Sequence, residues 1–489
     1  MNSKPELLIA AEAPSRGTLK WKYRGMLMGI TFSGLMMLNE VGALMAIPLY
    51  GSMSLELGLT PTQVSWALLS TLLMGAVSVA FLSKAGDLFG HRKFLLASVS
   101  IIFVGYVISA LAVNFETLVI GRALVGITAG QALVIGIMND RLTSLSRKKA
   151  IGIIAGGQAI GVTLGFGIGG LMILLGATWR HSFWIGAALT LISLIGVALW
   201  GSDSDAILRS RTARKRIDVV SVGILGLSLT AICIGISQST VWGLTSVLTL
   251  AFFFGGLAGL ALWYSWERRS KDPLVDTGLL VSRRLMPANA VFIAMGVGGM
   301  MTFNLILGYA QTPFPVAGYG FGLSPLVAGF LFIPMTVAGI LIGRWIPGLL
   351  GRMRPRVPFV GAAILLLVAF VWQYFMHQHL GGVLVGVLLY GIAYTMLLTI
   401  AISVIAAEAP EGKGAGTSAI YIGIALTGAA IGAALFGAVI GAGVTPANPI
   451  PAAGNYDAGW LVGVAAAVVA IIATASLSKH VELTEVAPH

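Results

Sequence analysis

The sequence predicts an all-α integral membrane protein of about fourteen transmembrane helices. Three observations carry that prediction. First, 57% of the 489 residues are hydrophobic and only 10% are charged, with a mean hydropathy of +0.93; soluble domains carry about 25% charged residues. Second, the apolar runs reach about twenty residues or more, the length of a membrane helix and roughly twice that of the alternating strands of a membrane barrel. Third, basic residues gather in alternate loops.

The first 24 residues are polar and charged, and a full-length apolar run follows. That order reads as an uncleaved first span behind a cytoplasmic segment, 1–24, and not as a signal peptide. The spans are expected at 25–50, 63–83, 94–114, 117–139, 150–176, 182–200, 218–239, 244–265, 287–311, 323–350, 357–376, 381–406, 415–441 and 458–477. Lys20, Lys22 and Arg24 precede the first span; His91, Arg92 and Lys93 follow the second; Arg141, Arg147, Lys148 and Lys149 follow the fourth. Arg209, Arg211, Arg214, Lys215 and Arg216 follow the sixth, Arg268, Arg269, Lys271, Arg283 and Arg284 the eighth, and Arg352, Arg354 and Arg356 the tenth. The intervening loops hold almost none, Arg180 being an exception. An even number of spans with this bias puts both termini in the cytoplasm of a multi-pass protein of the cell (inner) membrane. The stretch 442–457, AGVTPANPIPAAGNYD, is expected to be a flexible non-helical connector on the other side.

Composition also excludes functions. The net charge of +12 falls in the alternate loops, so it reports topology and not nucleic-acid binding. Cys233 is the single cysteine, so no disulfide forms within the chain, and a buried structural thiol is expected. The six histidines lie at loops, span ends or the terminus, and H-E-x-x-H, G-x-S-x-G and G-x4-G-K-[ST] do not occur. No enzyme, metal site, cofactor or direct use of ATP is therefore expected.

Span thirteen carries Gly423, Gly428, Gly432, Gly437 and Gly441. The spacing suggests one stripe of small residues that seats a neighbouring helix. Span five is similarly glycine-rich, and the basic loop after span two has a weaker echo after span ten. With spans seven and eight set aside, each pair is six spans apart. The expected organisation is a six-helix bundle over 25–200, a basic linker at 201–217, an inserted two-helix hairpin at 218–265 and a linker at 266–286. A second six-helix bundle follows over 287–477, with a cytoplasmic tail at 478–489. Two pseudo-repeat bundles around a central site is the usual plan of a secondary transporter.

Glu40 lies inside the first apolar run. A carboxylate at membrane depth costs roughly 2.5–3.5 kcal/mol on insertion scales, so such a residue marks a cavity, a partner or a proton path. Arg122 in span four is its expected partner. Their depths differ by roughly 7 Å at 1.5 Å per residue, within reach of two long side chains or a water. Burial favours the neutral acid and a guanidinium favours the carboxylate, so a helix movement that alters either loads or releases a proton. The polar and soft side chains expected near a cavity are Asn39, Met36, Gln131, Gln158, Asn304, Tyr309, Gln311, Tyr390, Tyr394 and Tyr421. Few charges with many aromatic and thioether groups suit a lipophilic, loosely specified ligand.

Several local patterns point to one family. KAGDLFGHRK, Lys84 to Lys93, resembles the G-x-L-a-D-R-x-G-R-K loop of the major facilitator superfamily through Asp87, Gly90, Arg92 and Lys93; Ser83 and Leu88 depart from it. Arg122 and Gly126 are similar to its R-x-x-q-G in span four. Gly152, Gly161, Gly165, Gly169 and Gly170 resemble the antiporter motif G-x8-G-x3-G-P-x2-G-G, with Phe166 in place of the proline. LNEVGALMAIP, Leu38 to Pro48, resembles L-D-x-T-I-V-N-V-A-L-P of the fourteen-helix drug/proton antiporter branch, with Asn39 at the aspartate and Glu40 beside it. WRHSFWIG from Trp179, Arg216-Ile217-Asp218 and WERRSKDPLVD from Trp266 resemble the same branch.

The resemblance implies export of amphipathic small molecules in exchange for protons, by alternating access in the lipid bilayer, from a monomer. It implies a gating latch of Asp87, Gly90, Arg92 and Lys93, joined by Asp140 at the inner end of span four. Alternatives within transport are a lipid or siderophore-like exporter or a uniporter, because the span-one aspartate is absent; outside transport, a membrane scaffold.

Overall fold

The computed structural model describes residues 21–127, 133–134, 157, 160–162, 164–200, 217–270, 272–343, 345–350, 352–408, 414–445, 448 and 450–477. The apolar helices are α1 (Trp21–Leu44), α2 (Pro61–Phe89), α3 (His91–Ala110), α4 (Phe115–Val125), α5 (Ile160–Leu174), α6 (Trp179–Trp200) and α7 (Val219–Ser237). They continue as α8 (Val247–Arg269), α9 (Met286–Gln311), α10 (Pro325–Gly343), α11 (Arg356–Met376), α12 (Leu380–Glu408), α13 (Gly414–Gly441) and α14 (Ala453–Ala475). Among the described residues twelve helices are long and apolar enough to cross a membrane. The expected spans 117–139 and 150–176 are described over the shorter α4 and α5, so the count of fourteen rests on the sequence.

Local chemistry starts the helices where they start. Thr60 and Gln63 form a capping box ahead of α2, with Pro61 at the first helical position. Asn114 and Thr117 do the same for α4. Asp218, Ser246 and Ser324 accept backbone N–H bonds ahead of α7, α8 and α10. Prolines interrupt two spans. Beyond α1 the chain passes through a short 3₁₀ turn, Ile47–Leu49, into Tyr50–Leu57, so the first apolar run bends at Pro48 and extends past its expected end. α10 is interrupted between Phe330 and Ile333, where Pro334 lacks the N–H that the turn before it needs.

The helices pack as α2 with α13, α9 with α13 and α14, α11 with α12 and α14, and α3 with α4 and α6. α7 and α8 pack on each other, and α7 also touches both α2 and α13. One large apolar core runs through α9 to α14 and takes in Leu68, Leu72 and Phe166 from the N-terminal helices. Two smaller cores join α1, α3 and α6. Cys233 is buried in α7, as a structural thiol would be.

Two expectations are corrected. At about 100° per residue, Gly423, Gly437 and Gly441 fall within about 40° of one another, while Gly428 and Gly432 fall on the opposite side of the helix. The first three face α2 at Val79, Ser65 and Thr62, and the other two face α9 at Ile293 and Val297. The glycines of α13 therefore form two stripes that seat two helices. The stretch 442–457 is also partly helical: α14 starts at Ala453, Asn455 Nδ2 donates to Ala442 O at 2.8 Å, and Tyr319 Oη donates to Pro451 O at 2.6 Å.

Arg180, the basic residue on the sparse side, has a local explanation. It pairs with Glu56, stacks over Trp179 at 4.2 Å and donates to Ala112 O at 2.7 Å. Trp179 Nε1 donates to the same carboxylate at 2.6 Å. The charge is matched locally by the Glu56 carboxylate.

Candidate functional site

Arg122 is fully buried in the last turn of α4. Its Nε donates to Ala67 O of α2 at 2.9 Å, and Nη1 reaches Gly42 O of α1 at 3.3 Å. The guanidinium lies 5.5 Å from the centre of the Phe183 ring of α6 and within electrostatic range of the Tyr50 and Tyr106 hydroxyls. Thr71 Oγ1 donates to Arg122 O at 2.9 Å, and Gly126 lies against the backbone of Thr71. The R-x-x-q-G pattern thus sets α4 tightly on α2 and aims one cation at the backbone of α1.

Gly42 and Glu40 are two residues apart, so they point about 200° apart around α1. Gly42 faces Tyr106 of α3. Glu40 is half-buried, lies beside Gly161 of α5 and is within electrostatic range of Tyr394 on α12. Arg122 therefore reaches the α1 backbone at Gly42, two residues from Glu40.

The antiporter glycines explain why α1 and α5 come so close. Gly157 faces Ser33, Gly161 faces Met37 and Glu40, Gly165 faces Val41 and Leu44, and Gly169 faces Met45 and Pro48. A four-residue step on each helix keeps the stripes in register. A Cβ on Gly165 would lie 3.1 Å from Leu44 Cβ and 3.2 Å from Val41 Cα, closer than two helices tolerate without moving apart. Gly170 alone faces the C-terminal helices, at Pro325 and Leu326 of α10. Phe166, at the motif's proline position, is fully buried and stacks on Phe332 with centroids 4.8 Å apart; Phe303 completes the cluster. The seam is thus glycine against α1 and aromatic against α9 and α10.

The candidate cavity residues separate into groups. Tyr394 is half-buried and its ring lies 5.8 Å from that of Tyr390. Tyr390 is buried against Phe370, and its hydroxyl has no hydrogen-bond partner among the described residues. Tyr421 stacks on Phe292 at 5.3 Å. Met36 is packed in the apolar core of α1, α2, α3 and α6. Asn304 is buried and donates to Met300 O of its own helix at 2.8 Å. Tyr309 sits in an aromatic group with Tyr319, Phe321, His377 and Tyr456 at the end of α9, near Gln311, away from Glu40. Met36, Asn304 and Tyr309 each have packing contacts or a local bond within the helices. Gln131, Gln158, Asp140 and Gly152 lie outside the described residues, and of Asn39 and Asp87 only the backbone is described.

At the basic-loop end Gly90 joins α2 to α3 with φ of +109°, a conformation open to glycine and costly for other residues. Arg92 donates to Ala198 O in the last turn of α6 at 2.8 Å, so it caps a helix of its own half. Lys93 is exposed. Lys84 reaches out of the N-terminal helices: its Nζ donates to Pro273 O at 3.0 Å. Sequence reasoning placed Lys84 in the motif and gave it no role; nothing in its spacing marks a carbonyl 189 positions away.

Glu267, another residue the sequence left without a role, is 1% exposed in the last turn of α8. It accepts from Ser221 Oγ and from Leu274 N at 2.9 Å, and Trp263 Nε1 donates to Ser221 Oγ at 2.9 Å. Trp266 Nε1 donates to Asp218 Oδ2 at 2.7 Å. Asp218 and Ser221 of α7 and Trp263, Trp266 and Glu267 of α8 thus form one clasp at the end of the α7–α8 hairpin. Among the described residues no group of three or more metal-ligating side chains comes together.

Comparison with known proteins places this architecture. The multidrug resistance protein Stp of Mycobacterium tuberculosis is 26% identical over 355 residues, 71% of this chain and 63% of that protein, so the match spans less than two thirds of the relative. The tetracenomycin C resistance and export protein of Streptomyces glaucescens is 26% identical over 294 residues, 58% of this chain and 53% of that one. Among solved structures, the human organic anion transporter MFSD10 superposes with a TM-score of 0.61 at 14% identity, over 94% of this chain and all of that one; at that identity it speaks for the fold alone. The family model of the Major Facilitator Superfamily matches residues 30–437, most of the chain, and the chain belongs to that superfamily.

Proposed function

We propose that the chain is a secondary active exporter of lipophilic and amphipathic small molecules, driven by proton antiport through alternating access. The observation that carries this reading is the position of Glu40. It is half-buried on α1, backed by Gly161 of α5, and lies within electrostatic range of Tyr394 on α12 of the C-terminal helices. A carboxyl held there changes charge at the surface where the two sets of helices meet. Low dielectric favours the neutral form, and a more polar surrounding favours the carboxylate. Arg122 grips the α1 backbone at Gly42 O and the α2 backbone at Ala67 O, so a shift of α1 driven from Glu40 is passed to α2 and α4. The fourteen-span plan, two six-helix bundles with an inserted hairpin and both termini cytoplasmic, is part of this proposal, as is a latch that includes Asp87. The names of the two relatives, one in multidrug resistance and one in export, support the substrate class.

The test is a proteoliposome assay with an imposed pH gradient and a panel of lipophilic cations, neutral drugs and lipids. Wild-type protein is expected to move at least one compound against its gradient. Glu40→Gln is expected to lose gradient-driven movement and keep measurable substrate binding. Full gradient-driven transport by Glu40→Gln would remove the residue from the mechanism. Movement of lipids alone, indifferent to pH, would favour the lipid-exporter or uniporter reading.

A further inference from the structure

The α7–α8 hairpin lies over the line where α2 and α13 meet. That line is close-packed near the basic-loop end: a Cβ on Gly423 of α13 would lie 3.2 Å from Val79 Cγ1 of α2. Leaving α8, the chain does not loop away from the protein. Leu274 and Val275 are buried with Trp263, and Ala80 of α2 and Ile420 of α13 pack against the same cluster. Glu267 holds the Leu274 N–H, Asp276 Oδ1 accepts from Gly278 N at 3.1 Å, and Asn289 Nδ2 of α9 donates to Leu280 O at 2.9 Å. Lys84 of α2 closes the circuit on Pro273 O at 3.0 Å.

We propose that segment 272–280 is a strap across the α2–α13 seam and that Lys84 is the positioning residue that fastens it. The strap is tied to α8 by Glu267, to α9 by Asn289 and to α2 by Lys84, and its two apolar side chains wedge between the helices it bridges. The Lys84 bond is made to a main-chain carbonyl by a cation, so it keeps its strength whichever residue occupies the partner position, provided the loop holds its shape. Separation of α2 from α13 at this end requires either that bond to break or the whole hairpin to travel with α2. The inserted hairpin thus acts as a moving part of the gate at the basic-loop end and not as inert lipid-facing bulk.

This inference rests on the alternating-access reading only where movement is concerned, and its test has two arms. In a Cys233→Ala background, a Val275→Cys reporter measures opening of the strap by its rate of thiol alkylation, with no substrate present. Lys84→Met, which keeps the stem and removes the donor, is expected to raise that rate roughly ten-fold, the scale of losing a charge-assisted hydrogen bond. Lys84→Arg is expected to restore slow labelling. An unchanged rate in Lys84→Met overturns the anchor. In the second arm, a Lys84→Cys, Pro273→Cys double variant is tethered with a reducible bifunctional reagent and transport is measured in proteoliposomes. Transport is expected to stop and to return on reduction; undiminished transport by tethered protein overturns the gating role. The labelling arm reads the strap even when no compound in a panel is moved, so failure of the export reading and failure of the strap are distinguishable.

Discussion

Glu40 and Glu267 are both acids in apolar helices, and the protein holds them in different ways. Glu267 is 1% exposed, with its carboxylate taken up by the Ser221 hydroxyl and main-chain N–H groups at the hairpin end. Glu40 is half-buried and lies within electrostatic range of a tyrosine of the C-terminal helices. A carboxylate wrapped by donors in one rigid element is a staple: its charge is matched where it sits, and nothing is gained by moving it. A carboxylate between two elements that move apart meets a different surrounding in each arrangement, which is the condition for exchanging a proton. Burial depth alone would have ranked Glu267 above Glu40 as a site of chemistry. What marks Glu267 as a staple is the set of hydrogen-bond donors that wrap its carboxylate where it sits.

That contrast is open to direct attack. Glu267→Ala should be the most damaging change to the folded protein, because it strands buried N–H and O–H groups at roughly 1–3 kcal/mol each. A clear fall in the detergent melting temperature is expected, while Glu267→Gln recovers part of it and leaves the proton dependence of transport intact. Should Glu267→Gln instead uncouple transport from the pH gradient at normal stability, the assignment of the two acids would be reversed. A smaller effect is expected from Gly161→Val. Its side chain enters the space of Met37 and Glu40, and overpacking of this kind costs typically 1–3 kcal/mol. The coupling should suffer more than the fold, so transport at a fixed gradient should drop further than the melting temperature implies. Equal losses in both would make the glycine seam a packing device only. The smallest effect is expected from Glu56→Gln, which weakens a partly exposed pair with Arg180 worth about 1 kcal/mol or less. Its melting point should move little and transport should not change; a large transport defect would extend the functional surface to the end of α6.

Other parts of the molecule repeat the lesson of the two acids. Arg122 was legible as a buried cation of functional rank, and its depth near Glu40 followed from counting residues along the spans. Its described partners, two main-chain carbonyls and an aromatic face, were not legible, because carbonyls carry no signature in a side-chain sequence. The antiporter glycines were legible as a motif. That Gly161, Gly165 and Gly169 meet α1 while Gly170 meets α10 required the packed helices. Phe166 stood out as a departure from the motif, and only its contacts with Phe332 and Phe303 make it the aromatic side of that seam.

The amino-acid sequence by itself determined the membrane class, most of the spans and the family. These follow from local terms: a lipid-embedded backbone must satisfy its own hydrogen bonds, so a long apolar run has to be a helix wherever it packs. It also determined where many of the helices begin, since Thr60, Asn114, Asp218 and Ser246 act within one turn of their own positions. Tertiary structure alone decided which face each helix turns to which neighbour. It sent the glycines of α13 to two partners, separated Tyr309 from Tyr394, hid Glu267 in a clasp and carried Lys84 to Pro273. Those outcomes depend on close approach between residues far apart in the chain. Between apolar helices in lipid such choices are made by shape and by a few polar bonds, which hydropathy does not encode.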